Sequence, residues 1–103
     1  MSLDFHLRRE VFHANCTHNL IPMAEACGLY EPLWGSSDVA HRRASEIVEP
    51  LRAGIRNLER GKDVFVTMNP TNGWGTYEGL LEFARKVLRA CEEEPEAFVE
   101  VSR

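Results

Sequence analysis

The stretch NPTNGWGTYEGLLEFARKVLRAC, residues 69–91, decides the fold because it joins a polar turn to an amphipathic helix. In its second half, apolar side chains fall at the three- and four-residue spacing of one helix face. They are Tyr77, Leu80, Leu81, Ala84, Val87, Leu88 and Cys91. Thr76, directly before them, is a residue type that caps helix starts. The sequence therefore predicts a helix that begins after Thr76 and packs one face on the core.

The first half of this stretch has the residue types of tight turns. Asn72 and Gly73 form a strong turn pair, and Gly75 allows a backbone conformation that other residues resist. Turn geometry does not explain the tryptophan at the tip of the loop. Two interpretations of Trp74 stay open: its ring covers the core, or it belongs to a binding site.

Two further helices are predicted. A short one follows Asn19 as its cap, with Pro22 in the first turn and a left-handed stop at Gly28. A long one runs from residue 36 or 38 to about residue 60, where Gly61 ends it. Pro50 lacks a backbone N–H and is expected to bend or split this helix. The stretch LYEPLWG between the two helices is predicted to be a loop packed over the core.

Strands are predicted at both ends of the chain and before the quoted stretch. Residues 3–7 and 12–16 alternate between apolar and polar side chains, with a break near Arg9. DVFVT, residues 63–67, and AFVEV, residues 97–101, are short β-prone runs. The predicted fold class is α+β: one domain, residues 1–103, with three main helices packed with a small sheet.

Composition and charge exclude several function classes. The chain has 103 residues, a net charge of −4 and only 12 Lys and Arg residues, so it lacks the clustered cations that nucleic-acid binding requires. Its apolar runs are too short to span a bilayer, and the first ten residues do not form the apolar segment of an export signal. We therefore expect a cytoplasmic protein without nucleic-acid or membrane partners. The sequence does not indicate an oligomeric state.

The cysteines and histidines do not predict a metal site or a cofactor. Cys16, Cys27 and Cys91 are odd in number and widely spaced, which favours free thiols over a disulfide framework. His18 combined with His13 or with Cys16 lacks a recognised zinc-ligand spacing. We expect no metal and no cofactor.

Two polar segments are predicted to form one pocket. ANCTHN, residues 14–19, and MNPTNGWGT, residues 68–76, each follow a predicted strand and open a helix. If those strands run parallel in one sheet, both segments lie at the same edge, where α/β proteins bind ligands. Two helix amino termini and His18 would then favour an anion. The alternative is that these residues only cap helices and form turns.

The segments HNLIPM, residues 18–23, and NPTNGWGTYEG, residues 69–79, resemble a family of short uncharacterised bacterial and phage proteins. That family has a THN(L/V)xPM helix start and an NPxNGWGxYE loop. The resemblance covers most of the chain and implies no substrate, cofactor or partner. It implies that the binding residues are Asn15, Thr17, His18, Asn19, Asn69, Asn72, Trp74 and Tyr77.

Two function classes follow from these observations. The first is a small binding or accessory protein, of phage or mobile-element type, whose pocket holds a small anionic ligand or contacts a partner protein. The alternative is a small enzyme that uses His18 as general acid or base. The sequence offers no evident nucleophile and no paired carboxylates, which favours binding.

Overall fold

Alternating apolar residues at the two ends of the chain form one antiparallel sheet. A computed structural model describes residues 1–8 and 12–103. Strand β1 spans Ser2–Leu7, β2 spans Phe12–Thr17 and β3 spans Val99–Ser102, in the order β2–β1–β3. The α+β class and the use of both chain ends in the sheet are confirmed. The predicted break near Arg9 lies outside the described residues.

The sheet has one buried face and one polar face. Leu3, Phe5 and Leu7 on β1 are fully buried in the core. The residues between them, Asp4 and His6, are only partly covered. Because side chains alternate along a strand, the apolar set faces the helices and the polar set forms an outer face.

Helix α1 spans Ile21–Cys27 and confirms the short helix predicted after the first strands. The missing N–H of Pro22 costs little because Pro22 lies in the first turn. Gly28 ends the helix with a φ of 91°, which is the predicted left-handed stop.

The cap predicted at Asn19 is wrong because a 3₁₀ turn, His18–Leu20, precedes α1. The hydroxyl oxygen of Thr17 accepts a hydrogen bond from the backbone N–H of Asn19 at 3.3 Å and caps this turn. Leu20 then occupies the cap position of α1 without a side-chain hydrogen bond. The extra turn moves the cap of α1 one residue beyond Asn19.

The stretch LYEPLWG is helical, so the predicted loop is wrong, although it packs on the core as expected. Helix α2 spans Tyr30–Leu33, and the 3₁₀ turn Trp34–Asp38 follows it. The indole of Trp34 is fully buried and stacks on the ring of Tyr30, with centroids 5.9 Å apart. The large apolar groups therefore enter the core from a helical segment.

Helix α3 spans Ala44–Arg60 and begins later than predicted. His41, shortly before it, has a φ of 56°, a left-handed conformation that an α-helix does not contain. The helix continues through Pro50, so the predicted split is wrong. Pro50 and Glu46 are both exposed, and water can satisfy the Glu46 carbonyl that loses its helical partner. A bend at Pro50 stays a prediction.

The segment DVFVT, residues 63–67, is helical, so the strand predicted there is wrong. Helix α3 ends at Arg60, and Gly61 separates it from helix α4, which spans Lys62–Phe65. A 3₁₀ turn, Val66–Met68, follows α4 directly. The backbone N–H groups of Val64 and Phe65 both donate to the carbonyl of Gly61 at 2.9 Å. A short β-prone run needs a neighbouring strand, and here local helical hydrogen bonds satisfy the backbone instead.

Helix α5 spans Tyr77–Glu93 and confirms the helix predicted after Thr76. The Thr76 hydroxyl oxygen accepts from the N–H of Gly79 at 3.0 Å. Helix α5 packs against α3 and β2. The buried hydroxyl of Tyr77 donates to the carbonyl of Leu58 at 2.9 Å. This bond fixes the start of α5 on α3 and so positions the loop before it.

All three cysteines are free, buried thiols. Burial raises the pKa of Cys16 and of Cys91 to about 12, and the nearby Glu92 carboxylate adds to the effect at Cys91. Burial also raises the pKa of Cys27. Since the thiolate is the nucleophilic form, none of these groups is prepared for nucleophilic catalysis.

The free energy of unfolding is expected to fall as the pH rises above about 9. In the unfolded chain these thiols ionise near pH 9.0, whereas Cys16 and Cys91 keep their protons in the folded protein up to about pH 12. The unfolded state then binds fewer protons, and the free energy of unfolding falls by about 1.4 kcal/mol per pH unit for each thiol. Urea unfolding at several pH values above 9 measures the slope. Cys91→Ala should reduce it, and an unchanged slope would contradict the assignment.

Gly54→Ala is expected to destabilise the protein, although alanine favours helices by about 1 kcal/mol. A Cβ at Gly54 would lie 2.5 Å from Cδ2 of Leu29, which is fully buried and has little room to move. Overpacking of this kind costs about 1–3 kcal/mol. Urea unfolding measures the loss. In a Leu29→Ala background the same change should stabilise, and a stabilising Gly54→Ala in the unmodified chain would refute the clash.

Candidate functional site

The two polar segments meet at one open groove of about 610 Å³. It lies where the ends of β1 and β2 adjoin the loop before α5. Five of the predicted site residues line it together with the first two residues of the chain: Asn15, Thr17, Asn19, Asn72 and Trp74, with Met1 and Ser2. The sequence therefore predicted most of this lining, but not the contribution of Met1 and Ser2.

The two segments come together by a different route from the one predicted. Within residues 1–8 and 12–103, no parallel strands join them, since DVFVT is helical and β1 and β2 are antiparallel. Gly75 approaches the other segment closely: a Cβ there would lie 2.8 Å from Cγ2 of Thr17 and 2.9 Å from Cγ of Leu20. The Nδ2 group of Asn72 also donates a long hydrogen bond, 3.5 Å, to Oδ1 of Asn19. Close backbone packing thus builds the groove.

Trp74 lies at the rim of the groove and not in the core. Its side chain is 68% exposed, which excludes the interpretation that its ring covers the core. The Oδ1 atom of Asn72 accepts from the backbone N–H of Trp74 at 2.9 Å, and Gly73 between them has a φ of 78°. The loop is thus held by its own hydrogen bond. It presents the indole to solvent beside the amide groups of the lining.

Asn69 and Tyr77 lie outside the groove and support its frame. The Oδ1 atom of Asn69 accepts from the backbone N–H of Tyr77 at 2.7 Å, which satisfies one of the free N–H groups at the start of α5. The ring of Tyr77 is buried and anchored to Leu58. Both residues therefore hold the loop in place without lining the groove.

His18 is not among the residues that line the groove, so the groove beside Trp74 forms without the histidine that was predicted there. The imidazole lies against Trp34, with ring centroids 6.3 Å apart. Its Nε2 atom is buried and has no hydrogen-bond partner among the described residues. His18 as a whole is half-buried, in the 3₁₀ turn that follows Thr17.

The sequence alone missed a cluster on the outer face of the sheet. The rings of His6 and His13 stack with centroids 4.4 Å apart and planes 9° apart. Nε2 of His13 lies 3.5 Å from Oδ1 of Asp4. The alternation of polar residues in each strand was visible, but the register that places His6 opposite His13 depends on the connection between the strands.

The Asp4 carboxylate links this cluster to the groove. The Nδ2 group of Asn15 donates to Oδ1 of Asp4 and to Oγ of Ser2, both at 3.0 Å. The hydrogen bond from Asn15 lowers the pKa of Asp4 most, partial burial opposes it, and the neighbouring His13 lowers it further. Among the described residues, no group of three or more His, Cys, Asp and Glu side chains is arranged to hold a metal ion.

Comparisons with known proteins do not place the chain in a family. No family model matches it, and no curated protein and no solved structure matches it. The resemblance of the two quoted segments to a family therefore stays a prediction. Within the described part of the chain, no helix has the length and apolar character needed to cross a bilayer. The function must be argued from the groove itself.

Replacing Gly75 by alanine is expected to push the two segments apart. Its φ of 106° and the contacts of an added Cβ with Thr17 and Leu20 both oppose a side chain. Gly73 is the matched control, because it has a φ of 78° and nothing within 4 Å of an added Cβ. Both changes introduce left-handed strain of about 1–2 kcal/mol. Gly75→Ala should lower the free energy of unfolding by at least about 1 kcal/mol more. Urea unfolding tests this, and equal losses would contradict the close approach.

Proposed function

We propose that this protein binds a small uncharged ligand, rich in hydroxyl groups, in the groove beside Trp74. The observation that carries the proposal is the exposure of Trp74 next to amide and hydroxyl side chains. An indole that is 68% exposed in a loop held by its own hydrogen bond is a ready surface for a flat or apolar ligand face. Ligand sites commonly combine such a surface with a few polar groups that fix orientation.

Two features favour an uncharged ligand over the anion expected from the sequence. Within the described chain, no Lys, Arg or His side chain lines the groove. Of the two helix starts that were expected to attract an anion, the start of α5 already has two of its N–H groups satisfied internally. Asn69 accepts from the N–H of Tyr77, and Thr76 accepts from the N–H of Gly79. The only cationic group among the described lining residues is the α-amino group of Met1, which is almost fully exposed, so an anion would meet no cationic side chain that could replace its hydration.

The hydrogen-bonding capacity of the groove points to hydroxyl groups. Both Nδ2 hydrogens of Asn15 are donated, to Ser2 and to Asp4, so its Oδ1 remains as an acceptor without a partner among the described residues. Asn72 donates one Nδ2 hydrogen to Asn19 and has a second one for a ligand. A hydroxyl group both donates and accepts, whereas a carboxylate or phosphate oxygen only accepts. Sugars and nucleosides combine such hydroxyl groups with a ring that can cover an indole.

The enzyme alternative has less support. His18 was the expected acid or base, yet its Nε2 atom is buried against Trp34 and away from the groove lining. Cys16, the nearest thiol in sequence, is buried and its pKa is raised to about 12. Neither residue lines the groove, so neither is placed beside a molecule held at Trp74. Binding is the function that this arrangement supports best.

The proposal is tested by titrating isotope-labelled protein with N-acetylglucosamine, with adenosine and with inorganic phosphate while recording amide chemical shifts. We expect one of the uncharged probes to shift the signals of Asn15, Asn72 and Trp74. Trp74→Ala should lower its affinity by about tenfold or more, because stacking on an aromatic ring contributes about 1–3 kcal/mol.

Val64→Ala is the matched control, since Val64 is 64% exposed and lies outside the groove. It should leave the affinity unchanged. Trp34 cannot serve as the comparison because it is fully buried. A response to phosphate alone, or no groove response to either uncharged probe, would refute the proposal.

A further inference from the structure

His6 and His13 face each other across β1 and β2 at the closest kind of position in an antiparallel sheet. The N–H of His18 donates to the carbonyl of Met1 at 3.2 Å, so these two form a hydrogen-bonded pair. Hydrogen-bonded and non-hydrogen-bonded residue pairs alternate along an antiparallel ladder. The His6–His13 pair lies five residue pairs along the ladder from the Met1–His18 pair. It is therefore a non-bonded pair, in which opposite side chains come closest. The 4.4 Å ring separation follows from this register.

The two imidazoles belong to the outer face of the sheet. The side chain of His13 is 51% exposed, and the apolar residues of β1 point to the other face. On β3, Glu100 is the partner of His6, but its carboxylate already accepts from Nε of Arg8 at 2.6 Å. The histidine pair is accessible to a small solute. Two carboxylates lie near it on this face: Asp4 beside His13, and Glu100 opposite His6, which is engaged by Arg8.

We propose that His6 and His13 together bind a divalent transition-metal ion such as Zn²⁺ or Cu²⁺, with water completing its coordination. In the structure the two rings lie nearly parallel, so their nitrogen atoms do not point toward one common position. Because the His6 side chain extends from the same exposed face as His13, rotation about its side-chain bonds can turn one of its nitrogens toward an ion held on His13. Imidazole nitrogens bind Zn²⁺ at about 2.0–2.1 Å and select Zn²⁺, Cu²⁺ and Ni²⁺ over Mg²⁺ and Ca²⁺.

Asp4 prepares His13 for this role. Its Oδ1 lies 3.5 Å from Nε2 of His13 and can accept a hydrogen bond from the N–H at that position. The other ring nitrogen, Nδ1, then carries the lone pair and is the atom that ligates. Carboxylates orient metal-binding histidines in this way in many proteins. Asp4 is itself fixed by Asn15, which donates to it at 3.0 Å.

The buried thiols do not compete for the ion. Cys16 lies on the inner face of β2 opposite Leu3, and its pKa is raised to about 12. The described residues provide no third ligand of the His, Cys, Asp or Glu type in place. A site with two protein ligands and water holds its ion reversibly, unlike a closed structural zinc site. This binding goes beyond the proposed ligand groove and does not depend on it.

The experiment is a Zn²⁺ titration of the full chain, followed by calorimetry and by the histidine ring signals in NMR spectra. We expect one ion per chain, with shifts confined to the rings of His6 and His13, and no response to Mg²⁺. His6→Asn and His13→Asn should each lower the affinity by at least tenfold. Asp4→Asn should lower it by about tenfold, as loss of an orienting carboxylate does elsewhere.

His41→Asn is the matched control, because His41 is exposed and asparagine tolerates its left-handed φ of 56°. It should bind Zn²⁺ like the unmodified chain. The ring signals of the unmodified protein give a result even if a variant fails to fold. No saturable Zn²⁺ binding, shifts centred on His41 or His18, or full affinity after His6→Asn or His13→Asn would each overturn the proposal.

Discussion

The buried face of the small sheet is the constraint on which the other elements depend. Leu3, Phe5 and Leu7 extend from β1 on one side only, and a three-stranded sheet cannot cover that surface by itself. Helices α3 and α5 pack on each other, and α5 packs on β2, so the apolar stripe of each long helix is buried. The hydrogen bond from Tyr77 to the Leu58 carbonyl fixes the two helices where α5 begins.

That fixed point also determines where the groove forms. The loop before α5 must leave Tyr77 in the core and return along the end of β2, where Gly75 contacts Thr17 and Leu20. Asn69 holds one side of the loop through its hydrogen bond to Tyr77, and Gly75 holds the other side against Thr17 and Leu20. The tip of the loop between them lies outside the core. Trp74 is exposed as a result, and the residues that surround it are those at the ends of the strands.

Local patterns predicted the local structure well. The stripe from Tyr77 to Cys91 and the alternation of the terminal strands need only their own residues to be recognised, and both are present. The prediction of a strand at residues 63–67 was wrong because five β-prone residues carry no information on whether a partner strand is near. The start of α3 was predicted too early because the left-handed backbone conformation of His41 is not evident from its residue type.

The groove was predicted from a wrong premise and from a correct observation. The strands of the described residues pair only in antiparallel fashion. Both segments nevertheless carry more polar and aromatic groups than their turns use, and that excess did mark the lining. His18 was expected in the lining, but it lies in the 3₁₀ turn after β2 with its imidazole against Trp34. The pairing of His6 with His13 could not be predicted from the sequence, since it depends on a strand register that no local pattern gives.

The groove and the histidine pair share the polar face of the sheet and are connected through Asn15. Its amide nitrogen donates to Ser2 in the groove and to Asp4 beside His13, so one side chain supports both sites. A ligand that accepted hydrogen bonds from this amide would compete with Ser2 and Asp4 for its two hydrogens. A ligand that donates to Oδ1 of Asn15 leaves both bonds intact. The same hydrogen-bond arrangement that favours hydroxyl ligands in the groove therefore also allows the histidine pair to keep its geometry while the groove is filled.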